Sequence, residues 1–234
     1  MSDPPSDEHR PLPPPPPPPP FMAPPSAPAS LIAGGIPPSP TRGLRTATIT
    51  LFWCVVGASW LLLLAAINRR RVFDDVEDLE GFVNDFQDAD DAVAAGEVLE
   101  AGLAIAALIV VSIWSLRAAR HVKSYGGHDL SPGLACGGWY IPFGNFVVPF
   151  VQLRRVANHR HRPRTWISWW QGLFIAQGVA GVAFQRFGDI DAASSADDFS
   201  NRLGVQIGIA VVAAVLMTVM AYAAMRATRD VEGS

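Results

Sequence analysis

The chain has 234 residues, of which 50% are hydrophobic and 17% charged, and its formal net charge is −3. The hydrophobic residues are gathered into four separate runs, which excludes an ordinary soluble globular protein. A helix rises about 1.5 Å per residue, so each run can cross a hydrocarbon core of about 30 Å. The sequence therefore predicts an all-α membrane protein with a four-span domain at 45–226, its transmembrane helices at residues 47–67, 98–116, 166–184 and 203–225.

Residues 1–44 are predicted to form a disordered, proline-rich cytosolic tail. Residues 1–40 contain 17 of the 21 prolines, including an unbroken run at 13–20. Proline has no amide hydrogen and a fixed φ, so this stretch favours polyproline II over a helix or a sheet. The tail has two interpretations, a spacer of biased composition or a preformed ligand for a polyproline-binding protein.

Basic residues are distributed unevenly among the connections. The N-terminal tail, the middle connection and the C-terminal segment carry 13 of the 18 Lys and Arg residues. The positive-inside bias therefore predicts a multi-pass plasma-membrane protein with both termini in the cytosol, including a short tail at 227–234. The two outer connections, counted together with Glu100 at the outer end of span two, carry 15 of the 21 acidic residues, which favours a solvated face over a specific cation site.

The first outer connection, residues 69–97, has an amphipathic pattern. Apolar residues recur in it at spacings of three or four, with acidic residues between them, at Phe73, Val76, Leu79, Val83 and Phe86. This spacing predicts a helical hairpin that continues spans one and two. Its apolar edge is expected to pack on a neighbouring element.

Residues 130–153 are apolar, but their glycines and prolines would break a helix in lipid. The segment predicts a re-entrant or interfacial element on the cytosolic side, between spans two and three. Trp139 and Tyr140 are expected in the headgroup zone, where amphipathic rings settle. Asn145 is expected to satisfy freed backbone groups or to cap the following helix, with a ligand site as the alternative.

A basic run follows this element. Beside a bilayer it predicts a lipid-facing patch that attracts anionic lipids, formed by Arg154, Arg155, Arg160, Arg162 and Arg164. His159 and His161 have no Cys or carboxylate beside them, so no metal site is predicted there.

The string from Trp139 to Pro149, read as WxxPxxNxxxP and followed by a basic helix, resembles the signature of the "domain of unknown function 4328" membrane proteins. The resemblance is carried by Trp139, Pro142, Asn145 and Pro149, and it extends over roughly residues 47–225. It implies several spans joined to a proline-rich N-terminal region. It brings no established activity.

The spans themselves contain few polar groups. Glu100 is expected at the outer end of span two, so no carboxylate, His or Lys is predicted near the midplane, where coupled carriers usually place one. No phosphate-binding, metalloprotease or serine-hydrolase motif appears, so the chain is not expected to be an enzyme, and no catalytic residue, cofactor or nucleic-acid partner is predicted. Gly204-xxx-Gly208 suits helix packing within the bundle or contact in a homo-oligomer.

Two functions follow from these features. The leading one is a non-catalytic scaffold that recruits partners or anionic lipids through its tail and basic inner face. The alternative is a small channel or carrier that uses the Trp139–Pro149 element as part of a pore or gate.

Overall fold

The computed structural model describes residues 40–74, 79–187 and 194–232, so most of the predicted tail lies outside the described residues. The described part of the chain is built from helices and turns. Its long helices are α1 (Arg42–Asp74), α2 (Leu79–Lys123), α5 (Thr165–Phe187) and α6 (Ala196–Glu232). Between α2 and α5 lie two short helices, α3 (Pro132–Gly137) and α4 (Val148–His159), and two single 3-10 turns, Gly138–Tyr140 and Gly144–Phe146.

Each of the four predicted spans lies inside one of the long helices. By length and composition, three helices in the described ranges are apolar enough to cross a membrane: Arg42–Asp74, Val83–Lys123 and Asp197–Glu232. These confirm an all-helical fold with membrane-like helices. The fourth stretch lies in α5, a helix of 23 residues whose apolar run is interrupted by Gln171 and Gln177.

The long helices pack in the order α2, α1, α6, α5. We call the end of the bundle that holds Arg42, Lys123, Thr165 and Glu232 the inner end, and the opposite end the outer end. The short helices fill the inner part of the space between α2 and α5, because α3 contacts α2 and α4 contacts both α2 and α5.

Residues 130–159 form a broken hairpin whose two ends meet at the inner end. Nε2 of His159 lies 2.5 Å from Oδ1 of Asp129, the residue just before the hairpin. Pro132 and Pro149 both lie in the first turn of a helix, where the missing amide costs no intrahelical hydrogen bond. Gly138 allows the turn to approach α4, since a Cβ there would lie 2.8 Å from Cγ1 of Val148.

The hairpin reaches far into the bundle. The carbonyl of Ala135 accepts a hydrogen bond of 2.7 Å from Oγ of Ser115, which lies two turns before the end of α2. Further along, a Cβ on Gly178 would lie 3.3 Å from Cε1 of Phe146. Gly178 lies about 20 Å along α5 from its first residue, at about 1.5 Å per residue. The ring of Phe146, next to the tip of the hairpin, therefore reaches beyond the middle of α5.

A tight turn with an exposed apolar surface forms that tip. Phe143 has φ 59° and ψ −31°, and the amide of Gly144 donates a hydrogen bond of 2.7 Å to the carbonyl of Pro142. This is a γ-turn in the strained, positive-φ form. The Phe143 side chain is 86% exposed, and Ile141 and Val147 beside it are exposed too.

A buried carboxylate joins the helices at the inner end, and we call it and its partners the inner clamp. Oε1 of Glu232 accepts hydrogen bonds from Oγ1 of Thr41 at 2.7 Å and from Nε1 of Trp114 at 3.1 Å. Its Oε2 lies 3.1 Å from Nη1 of Arg45. Nη1 of Arg160 donates to the Glu232 carbonyl at 2.7 Å. One residue thus connects α1, α2, α6 and the end of the hairpin.

Residues 227–232 are therefore not a tail, as the sequence predicted, but the last turns of α6. Ala227, Thr228 and Val231 are fully buried. Burial lowers the pKa of the Arg160 guanidinium, while the charge of Glu232 acts in the opposite direction.

A buried guanidinium plays the corresponding part near the outer end, and we call it and its partners the outer clamp. Arg69 of α1 is 3% exposed, and its Nη1 lies 2.6 Å from Oδ1 of Asp90 in α2. Its Nη2 donates to Oε1 of Gln206 in α6. Three helices are held together at this level by one side chain.

The outer helical hairpin predicted from residues 69–97 is confirmed, with residues 75–78 outside the described ranges. α1 continues to Asp74 and α2 begins at Leu79. Two residues of its apolar edge pack on α6, because the rings of Phe73 and Phe86 lie 5.0 Å and 5.9 Å from that of Phe199, whereas Val83 is exposed. Gly204 and Gly208 are exposed on α6, so this pair does not pack inside the bundle.

Candidate functional site

A cavity of about 270 Å³ lies next to the tip of the broken hairpin, where Asn145 and Phe146 line it, and we call it the inner cavity. Its walls come from all four long helices and from the hairpin. They are mostly aromatic and aliphatic, including Phe52, Val55, Leu108, Val111, Trp139, Phe146, Trp170, Phe174, Met217 and Met220. Several of these rings also pack on one another: Trp139 lies 5.8 Å from Trp170 and 6.0 Å from Phe174, and Phe146 lies 5.6 Å from Phe174.

Three polar side chains of the inner cavity have buried atoms that form no hydrogen bond within the described chain. They are Oδ1 of Asn145, Oε1 of Gln177 and Nε1 of Trp170. A buried polar atom without a partner costs about 1–3 kcal/mol. Three such atoms around one cavity indicate a place where a ligand or ordered water completes the hydrogen bonds.

A second cavity, of about 710 Å³, lies on the outer side of the first, and we call it the outer cavity. It is lined by all four long helices. Its polar groups are Ser59, Glu97, Glu100 and Gln177, and small residues such as Ala101, Ala180, Gly181 and Ala213 form much of the rest.

Glu100 is positioned differently from the sequence prediction. Its Oε1 accepts a hydrogen bond of 2.5 Å from Oγ of Ser59, and Ser59 lies near the middle of the first predicted span, 47–67. Glu100, the third residue of the predicted span 98–116, therefore lies beside the middle of the first predicted span and not beside that span's outer end. α2 has 45 residues, and its register against α1 sets the depth of this carboxylate, which the sequence of α2 alone does not show.

The two cavities share a boundary. Ala104 and Gln177 line both of them. Glu100 and Ala104 are four residues apart and hence on the same face of α2, so the carboxylate lies one helical turn from the boundary. Together the cavities extend from Glu97 towards the outer end to Asn145 at the hairpin tip.

The structure corrects two roles predicted for the motif residues. Trp139 is 3% exposed and its Nε1 donates to Oγ of Ser115 at 3.2 Å, so it belongs to the core and not to the headgroup zone. Tyr140, its neighbour, is exposed. Val147 precedes α4 and no side chain caps that helix, so the capping role of Asn145 is wrong as well.

Gln171 satisfies a freed backbone group, the role that was predicted for Asn145. Its Nε2 donates a hydrogen bond of 2.6 Å to the carbonyl of Phe146, which the broken backbone leaves free. Its Oε1 accepts from Nη2 of Arg154. The sequence alone assigned Gln171 no role. The signal that would have identified it is an amide side chain opposite a proline-interrupted segment.

Of the other two motif residues, Pro142 is exposed at the tip and Pro149 is buried at the start of α4. The five arginines of the predicted basic patch are divided by the fold. Arg154 reaches Gln171, and Arg160 reaches the carbonyl of Glu232, so both face the bundle. Arg155, Arg162 and Arg164 are exposed. Nη1 of Arg155 also donates to the carbonyl of Asp129 at 2.8 Å.

In the described ranges no three His, Cys, Asp or Glu side chains are grouped as metal ligands. Neither the curated proteins nor the solved structures contain a match to this chain.

One family model does match. Residues 83–232 match the model described as "Domain of unknown function (DUF4328)". The matched residues begin inside α2 and end at Glu232, so the first predicted span lies outside them. They include the whole hairpin with its motif and most of the cavity lining. The chain therefore belongs to the DUF4328 family of domains of unknown function.

Proposed function

We propose that this protein is a small carrier or channel of the plasma membrane, with a solute pathway through the two cavities. In this proposal α5 is a fourth span, the broken hairpin is a re-entrant element entered from the cytosol, and both termini are cytosolic. The hairpin tip closes the pathway on the inner side, where Asn145 and Phe146 line the inner cavity.

The observation that carries this proposal is the position of Glu100. An ionisable side chain inside the membrane is expensive and, where it lines a cavity, typically marks a solute or ion path. Glu100 lines the outer cavity and is paired with Ser59 near the middle of α1. Broken backbone at membrane depth is tolerated where it lines a cavity, and the contribution of Asn145 and Phe146 to the inner cavity wall supports such a role for the hairpin.

The test is transport by the full-length chain reconstituted in lipid vesicles. Uptake of radiolabelled sodium, rubidium and phenethylamine, and proton flux reported by an entrapped dye, would be compared with empty vesicles. We expect Glu100→Gln and Asn145→Ala to change the flux of the transported probe by at least about tenfold. Asp91→Asn removes a charge from an exposed position of the same helix, outside both cavities, and should leave flux unchanged.

Unfolding curves of each variant in detergent would separate transport from stability. A flux change with unaltered unfolding supports the pathway. Flux equal to that of empty vesicles for every probe would exclude a carrier or channel for this range of solutes.

A second function, recruitment at the inner face, is supported by the exposed arginines. Arg155, Arg162 and Arg164 remain exposed after folding, and each cation near an anionic surface contributes about 1 kcal/mol. A scaffold of this kind would hold anionic lipids there and a polyproline-binding partner at the tail, and the chain could also form a homo-oligomer. Neither function requires catalysis, and we propose no enzymatic activity.

Nanodiscs containing phosphatidylserine would test the lipid part of this second function. Native mass spectrometry should show fewer retained phosphatidylserine molecules for an Arg162→Gln, Arg164→Gln double variant than for Arg229→Gln, an exposed arginine of α6 outside the patch. Equal retention would argue against lipid recruitment by the patch.

A further inference from the structure

We propose that the two cavities together bind an amphipathic organic ammonium ion, with its apolar ring in the inner cavity and its N–H groups directed to Glu100. This inference rests on the proposed function of the same site and names its ligand class.

The inner cavity suits an aromatic or aliphatic ring. Its volume of about 270 Å³ exceeds the roughly 150 Å³ that holds benzene in an apolar protein cavity. The rings of Phe52, Trp139, Trp170 and Phe174 line it. Their faces bind apolar surface and also attract a nearby cation. A ring with a short side chain therefore fits.

The boundary between the cavities selects the charge of the ligand. Oε1 of Gln177, at the boundary, is a buried acceptor that no described donor reaches, and the carboxylate of Glu100 in the outer cavity is a further acceptor. Oδ1 of Asn145 is a third unmet acceptor, at the hairpin end of the inner cavity. No Lys, Arg or His appears among the described residues that line either cavity. Acceptors and negative charge without a balancing cation favour a positively charged hydrogen-bond donor. The donor Nε1 of Trp170 is left for a ligand oxygen or a water molecule.

The distance between Glu100 and the inner cavity sets the length of the ligand. The backbone positions of Glu100 and Ala104, a residue of the shared boundary, lie about 6 Å apart along α2. A ligand that spans both sites needs two or three bonds between ring and nitrogen, so that its ammonium group reaches the carboxylate while its ring stays in the inner cavity. Phenethylamine has this form, which makes it the probe of choice.

The test is equilibrium dialysis of the full-length protein in nanodiscs. Phenethylamine, its neutral analogue phenethyl alcohol and its anionic analogue hydrocinnamate would be compared. We expect the amine to bind at least about tenfold more tightly than the alcohol, because a charge-assisted hydrogen bond replaces a neutral one. Glu100→Gln should abolish this preference and leave alcohol binding within about twofold.

Two further variants control for misfolding. Glu100→Asp keeps the charge and should keep the preference for the amine even if both affinities fall, whereas Asp91→Asn should behave as the unmodified chain. Equal binding of amine and alcohol, or an amine affinity that Glu100→Gln leaves unchanged, would overturn the inference.

The two proposals fail separately. If amine binding depends on Glu100 but no flux is seen in vesicles, the carrier function is excluded and the proposed ligand class is still supported. If the chain transports sodium, rubidium or protons but binds no amine, the transport function is supported and the proposed ligand class is excluded.

Discussion

The two ends of the bundle are held by buried charges of opposite sign, and the comparison shows which end is more firmly assembled. In the inner clamp, both carboxylate oxygens of Glu232 have partners, on Thr41, Trp114 and Arg45. In the outer clamp, Arg69 has Asp90 and Gln206 as partners. Each clamp also contains guanidinium nitrogens that meet no described acceptor, Nε of Arg69 in the outer clamp and Nε and Nη2 of Arg160 in the inner clamp. Asp90 is also 52% exposed, whereas the Arg45 side chain is 18% exposed.

This difference indicates that a buried charge stabilises a helix junction more when more of its polar atoms have hydrogen-bond or ion-pair partners. Attraction between buried charges offsets the loss of hydration only when additional hydrogen bonds satisfy both groups. Glu232, the central charge of the inner clamp, has partners on both oxygens and pairs with the largely buried Arg45, whereas Arg69 of the outer clamp pairs with the half-exposed Asp90. We therefore expect the inner end to be rigid and the outer end, where the large cavity lies, to be the more easily opened.

The largest predicted effect is that of Glu232→Gln. The amide keeps an acceptor for Thr41 and Trp114 but leaves the charge of Arg45 without its partner, which should lower the free energy of unfolding by about 3–5 kcal/mol. Unfolding by sodium dodecyl sulfate titration, followed by near-ultraviolet circular dichroism, would measure it. Asp230→Asn is the matched control, because Oδ2 of Asp230 accepts no hydrogen bond from a described group. A loss as large in Asp230→Asn would show that any charge change at this end is harmful and that the clamp is not special.

Arg69→Met should have a smaller effect, about 1–3 kcal/mol, since it leaves Oε1 of Gln206 buried and unsatisfied while Asp90 regains water. The same titration measures this loss. Arg71→Met alters an exposed arginine two residues away and should cost little. If Arg69→Met were to equal Glu232→Gln, the two clamps would be equivalent and the comparison would fail.

The smallest predicted effect concerns Asp129, at the mouth of the hairpin. The hydrogen bond from His159 lowers the pKa of the Asp129 carboxyl below its ordinary value of 3.8. A carboxyl with a lowered pKa in the folded state stabilises the fold above its unfolded pKa, and this contribution is lost as pH falls through the lowered value. The unfolding temperatures of the unmodified chain and of Asp129→Asn should therefore differ at neutral pH and converge below about pH 4. A constant difference in unfolding temperature across this pH range would show that the lowered pKa of Asp129 does not stabilise the fold.

The sequence predicted the helices well because their signal is local. Runs of apolar residues gave the positions of all four stretches, and three-residue and four-residue spacing gave the outer hairpin. The motif from Trp139 to Pro149 identified the family, and the prolines and glycines marked where the backbone breaks.

What could not be predicted depends on the register of one helix against another. Glu100 was assigned to the end of span two because it is the third residue of the apolar run 98–116, and only its contact with Ser59 shows which level of α1 it faces. Trp139 was assigned to the headgroup zone from its residue type, whereas Ser115 and three neighbouring rings hold it in the core. Gln171, not Asn145, satisfies the free carbonyl at the tip, which is a matter of which amide the packing brings within reach.

Phe143 at the hairpin tip has a consequence for its surroundings. A non-glycine residue at positive φ is strained by about 1–2 kcal/mol, and glycine would adopt this turn without that cost. Transferring a phenylalanine side chain from water to hydrocarbon gains about 2–3 kcal/mol, which is enough to compensate. The ring achieves this gain only if its exposed surface, 86% of the side chain, is immersed in something oily. In the proposed re-entrant arrangement, acyl chains around the tip would supply that environment.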